Sequence, residues 1–395
     1  MRILILAQDY KPMVGGIATA THELCASLSR LDGVSVKLMA PFFPGTETET
    51  WVETGSGSRR SGFKVRRVSV LGASFWSILK WTFYLRSEIS VFQPDVILNT
   101  LWMPCAVAAF MSAGKIPVFT VVHGVEILES NRTFKKRVRA LLSFFKKWIF
   151  RTNAAVFAVS EFTARLVVEK TGIPSNRVKV IYNGVDSQRF HPKSADKALR
   201  EKYGVQDGFV FLTLSRLEDY KGVDRFIESM QTIHFAHPEA VYLVAGSGPD
   251  LARLEALRVQ FNLHSHVRFI GPVPEQDLIE IFNICDVFVL LSRDDRVTPN
   301  FEGLGIVLLE AGACGKPAIV GNSGGMPEVV LDRKTGWVVS PENCDEIVAA
   351  AFEAIRDREQ TEVLGRAARE RVQDRFTWER VAEDVVKELK IHLRG

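Results

Sequence analysis

The chain has 395 residues, enough for two domains with cores of their own. A hydrophobic fraction of 47% and a charged fraction of 24% exclude disorder, and a net charge of only +4 excludes a global nucleic-acid binder. Five cysteines, Cys25, Cys105, Cys285, Cys314 and Cys344, form no close pair, which excludes C-x-x-C chemistry and fits a reducing compartment.

The opening MRILILAQDY turns polar too soon for a signal peptide and reads as a first buried strand. No run of eighteen apolar residues follows, so no membrane span is expected, and the chain reads as cytosolic. After RILILA (2–7) come a turn at Val14–Gly16 and a helix from about Ile17 to Arg30. Apolar runs recur at 34–40, 96–101, 118–123, 155–160 and 178–184, separated by polar or helical stretches. That alternation predicts a parallel α/β sheet covered on both faces. The segment QRFHPKSADKALREKYG lacks strand character and reads as a linker. The pattern restarts at 209–216, 241–248, 267–271, 287–292 and 317–321, giving a second doubly wound unit, and FTWERVAEDVVKELKIHL closes the chain as a helix. The expected domains are 1–187 and 188–377, with 378–395 packing back on the first.

In such folds ligands sit beyond the carboxyl ends of the strands. Five places qualify. Asp9 and the Gly15-Gly16 pair follow the first strand, and the pair opens a helix whose N–H groups suit an anion. His123, with Gly124, ends the 118–123 run. Arg216 and Lys221, five apart in SRLEDYKG, offer a guanidinium fork and a movable point charge, as a diphosphate requires. Gly246 opens GSGP, and the run ending at 292 leads into FEGLGIVLLEAGACG (301–315). A solvated basic pair, a structural histidine and structural glycines are the bland alternatives. The turn lacks G-x-G-x-x-G, which disfavours a dinucleotide site.

Glu302 and Glu310 stand eight apart, one before a helix expected to start near Leu304–Gly305 and one inside it. Eight helical residues would span about 12 Å, the reach from the ribose to the sugar of a nucleotide-sugar. A carboxylate in an apolar helix is costly without hydrogen-bond partners, and paired hydroxyls would supply them. A glycosidase acid–base pair competes, but such a pair flanks its scissile bond from opposite sides.

These motifs carry a family resemblance. Glu302 and Glu310 match the E-x7-E pattern of retaining GT-B glycosyltransferases of family 4, the glycosyl transferases group 1. The turn Asp9–Ile17, HGVE (123–126), YNGVD (182–186), SRLEDYKGVD (215–224), GSGP (246–249), VRFIG (267–271) and SGGMPEVV (323–330) resemble the family in order along nearly the whole chain. EGLGIVLLEA is closest in wording to mannosyltransferases of glycolipid or polysaccharide synthesis, although many relatives write E-x-F-G. The resemblance implies two Rossmann-like domains facing across a cleft, the first for the acceptor and the second for the nucleotide-sugar. It implies Gly15 and Gly16 near the donor diphosphate, Asp9 on the acceptor side and His123 by the donor sugar. Arg216 and Lys221 would neutralise the leaving diphosphate, and Phe269 and Ile270 would lie against the base. Glu302 would bind the sugar, Glu310 the ribose, and the backbone of Gly303, Leu304, Gly305 and Ile306 the phosphate, with Gly246 on the donor side. No cofactor and no metal are implied. Asp294-Asp295 reads as a solvated loop feature.

The implied reaction retains the anomeric configuration, by attack on the face the diphosphate leaves, without an enzyme nucleophile. Mannose from GDP-mannose is the first expectation and a UDP-hexose the second, with a lipid-linked or saccharide acceptor. A nucleotide-sugar epimerase or hydrolase and a non-catalytic partner subunit remain alternatives. The oligomeric state stays open. Finally, NRTFKKRVRALLSFFKKWIFR (131–151) carries eight Lys/Arg and no acid. It places Phe134, Val138, Leu141, Phe145 and Trp148 on one helical face, with Lys135, Arg139 and Lys146 elsewhere. That pattern suits an anionic membrane surface, with WSILKWTFYLR (76–86) beside it, and so a peripheral site on the cytoplasmic face. A helix packed on the sheet with a solvated basic face is the alternative.

Overall fold

The computed structural model describes residues 1–13, 15–54, 61–70, 74–124, 127, 145–205, 208–294 and 300–393. The chain divides into two compact units, Met1–Gly184 with Trp378–Gly395, and Val185–Thr377.

The first unit holds an eight-stranded sheet built from β1 (Arg2–Leu6), β2 (Ser35–Pro41), β3 (Glu49–Glu53), β4 (Gly62–Val68), β5 (Val96–Asn99), β6 (Val118–Val122), β7 (Ala155–Ala158) and β8 (Val178–Val180). The order is β3-β4-β2-β1-β5-β6-β7-β8. All neighbours run parallel except β3 against β4. The antiparallel edge departs from the expected parallel sheet. Strand β3 alternates exposed and half-buried positions, as an edge strand does. The central strands are apolar apart from Arg2 and Asn99, because helices cover both faces. Helices α1 (Gly16–Arg30), α2 (Phe75–Phe92) and α3 (Val107–Ser112) are among those covers. The helix Trp378–Leu393 buries Trp378, Val381, Val385 and Leu389, and it lies against α1 in this unit.

The second unit holds β9 (Phe209–Leu214), β10 (Ala240–Ala245), β11 (Val267–Gly271), β12 (Val287–Leu290), β13 (Ala318–Gly321) and β14 (Gly336–Val339). They form one parallel sheet in the order β11-β10-β9-β12-β13-β14. Its core centres on the fully buried Trp337, Tyr242, Phe211 and Phe226. Truncating a ring of that kind costs about 3–5 kcal/mol. The stretch expected as a linker contains a helix, Lys197–Lys202, whose first N–H groups are capped by Asp196. It docks on its own unit, since Asn283 accepts from the Lys193 amide at 2.7 Å and Arg200 donates to the Ile284 carbonyl at 2.8 Å.

Chain order reverses at the β1/β5 boundary in the first sheet and at the β9/β12 boundary in the second. Loops leaving neighbouring strands diverge at such a reversal and open a crevice at the carboxyl edge. Two of the sequence candidates follow β9 and β12, one follows β1, and His123 follows β6, one strand beyond β5.

Candidate active site

At the β9/β12 reversal the loop after β9 carries Arg216 and Lys221, and the segment after β12 leads to Glu302. The two bring one ion pair together: the Lys221 ammonium donates to Glu302 Oε2 at 2.5 Å, with both side chains largely buried. The carboxylate that showed no cation in its own stretch finds one 81 positions away. Burial alone lowers the Lys221 pKa, but Glu302 and Tyr220 more than offset it, so the amine is held above its ordinary value and stays charged. Its nitrogen also lies 4.9 Å over the Tyr220 ring.

Backbone contacts hold both partners. A side chain at Gly222 would collide with the Leu291 carbonyl at the end of β12, and its φ of +71° is a left-handed conformation. Only glycine lets the Lys221 turn sit against that strand. Gly324 does the same for the acid: its φ is +61°, a side chain there would strike the Glu302 carbonyl, and the next amide, Gly325, donates to that carbonyl at 3.0 Å.

A second layer braces the Lys221 turn. Arg293 donates to the Asp219 carbonyl at 2.8 Å, to Asp219 Oδ1 at 2.7 Å and to the buried Asp224 at 3.1 Å, while its amide donates to the Tyr220 carbonyl at 2.8 Å. Arg253 reaches Asp219, Asp224 and Asp250 from the helix Leu251–Gln260. Sequence reading missed this network. The Asp and Arg residues are scattered over 219–293, and no spacing rule joins them.

The other donor-side candidates separate. The Arg216 side chain is 73% exposed and pairs with Glu218 at 2.9 Å, so Lys221 and Arg216 do not converge in this structure. The Gly246 amide donates to the Gly271 carbonyl at 2.8 Å, so its N–H is committed within the sheet edge. Its loop serves instead as a brace, with Ser247 accepting from the Leu217 amide at 2.9 Å. Phe269 packs on the core under the Arg258 guanidinium, 5.4 Å from its ring. Ile270 is the extra residue of a β-bulge, since Val244 pairs with Phe269 and Ala245 with Gly271. A bulge re-aims its side chain.

The expected helix after Glu302 starts later, at Ile306, with Gly305 as its cap residue. Gly303 and Leu304 are not helical, and the Leu304 side chain is buried, so helical rise does not set the Glu302–Glu310 separation. Glu310 sits within the helix, where burial pushes its pKa up to about 7 against the opposing pull of Arg189.

After β1 and after β6, the outer neighbour of β5, the charges behave differently. Asp9 lies just beyond β1, and burial raises its pKa despite His123. Burial lowers His123 to about 4, against a hydrogen bond with the Thr100 backbone and the pull of Asp9. The imidazole is neutral at pH 7. Gly15 and Gly16 open α1 with no side-chain cap, both are exposed, and a side chain at Gly15 would meet open space. Their backbone is accessible to an anion.

Among the described residues no three His, Cys, Asp or Glu side chains converge as metal ligands. Asp294 is exposed, and Asp295 lies outside the described residues. Of the basic stretch 131–151, residues 131–144 also lie outside them. In the remainder, Ile149 and Phe150 are buried with Lys146, which donates to the Ile127 carbonyl at 3.0 Å, while Trp148 is half-exposed. Lys146 therefore faces inward, not toward an outer basic face. No helix among the described residues is long and apolar enough to cross a membrane.

Comparison with known proteins identifies the family. Residues 14–189 match the glycosyltransferase family 4 model, and residues 195–371 match that of glycosyl transferases group 1. A GDP-mannose-dependent monoacylated alpha-(1-6)-phosphatidylinositol monomannoside mannosyltransferase of Corynebacterium glutamicum is 35% identical, over 97% of this chain and 96% of that protein. A GDP-mannose-dependent alpha-(1-6)-phosphatidylinositol monomannoside mannosyltransferase of Mycolicibacterium smegmatis is 29% identical, over 95% of each. The solved sucrose-phosphate synthase of Thermosynechococcus elongatus superposes with a TM-score of 0.78 at 19% identity, covering 98% of this chain and 97% of that one. With both family models in order along it and a relative this similar over nearly its whole length, the chain belongs to the family 4 (group 1) glycosyltransferases and has their GT-B fold.

Proposed function

We propose that the protein is a retaining hexosyltransferase that moves mannose from GDP-mannose to a lipid-linked or saccharide acceptor in cell-surface glycolipid or polysaccharide synthesis. A UDP-hexose is the second donor to test. The observation that carries the reading is the buried Lys221–Glu302 pair at the β9/β12 reversal. The donor and the glycolipid acceptor follow the names of the mannosyltransferase relatives.

The chemistry follows from charge. As the glycosidic bond breaks, negative charge grows on the departing diphosphate, and a fixed cation there lowers the barrier. An ammonium has three donors. Glu302 and Tyr220 engage Lys221, and the remaining donor would meet a phosphate oxygen. Arg216, exposed on the same loop, would swing from Glu218 onto the diphosphate, and these two cations would serve without a metal. The amides from Gly303 to Ile306, at the mouth of a helix, would receive the phosphate. Glu302 would accept sugar hydroxyls with its unused lone pairs, Glu310 the ribose diol, and Ile270 would lie against the base. In the first unit Gly15 and Gly16 would approach the diphosphate, Asp9 would serve the acceptor, and neutral His123 would contact a sugar hydroxyl. With no enzyme nucleophile assigned, the acceptor oxygen attacks from the face the diphosphate leaves, so configuration is kept. The enzyme would work at the cytoplasmic face of a membrane as a peripheral protein.

Thermal-shift measurements with GDP-mannose, UDP-glucose and ADP-glucose test the donor. At a hundredfold excess over Kd, the correct one adds about 2.7 kcal/mol of stability. Transfer to phosphatidylinositol mannoside, unaffected by a chelator, is the expected activity. Failure of every nucleotide to stabilise the protein, or donor turnover that ignores the acceptor, would overturn the reading.

A further inference from the structure

We propose that Arg189 is a positioning residue for the nucleoside half of the donor, tying the loop after β11 to the helix that carries Glu310. This role rests on the donor assignment above, in which Glu310 takes the ribose diol and the end of β11 meets the base.

Arg189 lies in the stretch expected as a linker, yet its backbone is fixed on both sides. Asp186 Oδ1 accepts from the Gln188 amide at 3.0 Å and from the Arg189 amide at 2.9 Å, which sets the turn before it. Phe190 is buried against Phe282, with ring centroids 6.0 Å apart. Asn283 holds the chain that follows, donating to the His191 carbonyl at 3.1 Å and accepting from the Lys193 amide. Pro192 lies against Gly315, where a side chain would come within 3.3 Å of its ring. This strap therefore passes the exit of the helix Ile306–Ala313, which carries Glu310.

From that base the guanidinium donates to Glu275 Oε1 and to the Glu275 carbonyl, each at 3.1 Å. Glu275 opens the turn Glu275–Asp277, shortly after β11 ends at Gly271. The carbonyl bond matters more, because it anchors the backbone of the loop. The Arg189 side chain is 34% exposed and that of Glu275 71%, so the ion pair alone adds little to stability and its value is positional. The same guanidinium acts on Glu310: burial pushes that carboxyl up, and Arg189 is the charge that opposes the rise. A carboxylate accepts from both hydroxyls of a ribose, whereas a protonated carboxyl carries a hydrogen on one of its oxygens. Arg369 and Lys316, also near that helix, are committed to the Ala313 carbonyl at 2.5 Å and the Asn283 carbonyl at 3.1 Å. Cys314, one turn on, stays a thiol, its pKa pushed up to about 12 by burial. One side chain thus sets the loop at the base end and the charge at the ribose end.

The test is calorimetric titration of GDP, 2′-deoxy-GDP and inorganic pyrophosphate into wild type, Arg189→Gln and Arg189→Lys. The uridine pair replaces the guanosine pair if UDP is the nucleotide that stabilises the protein. Wild type should prefer GDP to its 2′-deoxy form by about tenfold. In Arg189→Gln the Kd for GDP should rise about tenfold and that preference should shrink to about twofold. Pyrophosphate affinity and melting temperature should stay at wild-type values, which shows the variant folded with its phosphate site intact. Arg189→Lys keeps the charge without the fork and should recover part of the preference. In steady-state transfer, Arg189→Gln should raise the KM for GDP-mannose about tenfold while kcat stays within about threefold. Unchanged GDP affinity in Arg189→Gln, or GDP and pyrophosphate weakened alike, would overturn the role given to Arg189. A wild type that binds GDP and 2′-deoxy-GDP equally would fail differently, removing Glu310 from the ribose and this role with it.

Discussion

The two sheets solve opposite electrostatic problems. At β9/β12 charge is concentrated and paired: Lys221 with Glu302, and Arg253 and Arg293 with Asp219 and Asp224. After β1 and after β6 burial works against charge, raising the Asp9 pKa and lowering that of His123 to about 4. A rigid, braced cation suits a diphosphate whose charge grows during reaction. A neutral, half-buried imidazole suits hydroxyls. The same α/β framework thus carries two electrostatic environments on loop residues that the strands only position.

Removing the central charge should do most to erase this contrast. Glu302→Gln is expected to cost about a hundred- to a thousandfold in kcat, measured as initial rates of sugar transfer, because Lys221 loses its orientation along with a sugar contact. On the neutral side, His123→Ala should cost about a hundredfold, and the wild-type rate should show no His123 titration between pH 5 and 8. The sign follows from the lowered pKa. The folding contribution of His123 is complete above 6.5, its ordinary value, and is lost as pH falls toward 4. A rate profile with a histidine limb near 6.5 would break the comparison.

Arg293→Ala tests the brace rather than the contact. It leaves the buried Asp224 with Arg253 alone and should lower stability by about 3 kcal/mol, read from denaturant unfolding. Transfer activity should fall about tenfold by misplacing Lys221, with Arg293→Lys restoring part of it. The smallest effect concerns Glu310. Its raised pKa means stability is complete below 4.5, its ordinary value, and declines as pH rises through about 7. Glu310→Gln should flatten that decline in melting curves across the same window.

Sequence periodicity made the central strands legible because burial on both faces leaves them uniformly apolar. It missed β4, GFKVRRV, whose Lys64, Arg66 and Arg67 mask the strand, and the charged edge strand ETWVE beside it. It also missed β14, GWVV. Glu302 and Lys221 were each visible as candidates, yet their pairing was not, since local spacing carries no information about a contact between loops from different strands. The 12 Å estimate failed for a related reason: helical rise applies from Ile306 onward, not across Gly303 to Gly305. Arg216 and Phe269 lie after β9 and on β11, and their side chains are engaged by Glu218 and by the core.

The central assignment, a nucleoside diphosphate seated against Lys221, is tested most directly by calorimetric titration of GDP into wild type and into Lys221→Gln. A Kd raised at least about tenfold in the variant, with its melting temperature in the absence of nucleotide close to wild type, is the expected result. An unchanged Kd in a folded variant would contradict the donor site at the β9/β12 reversal.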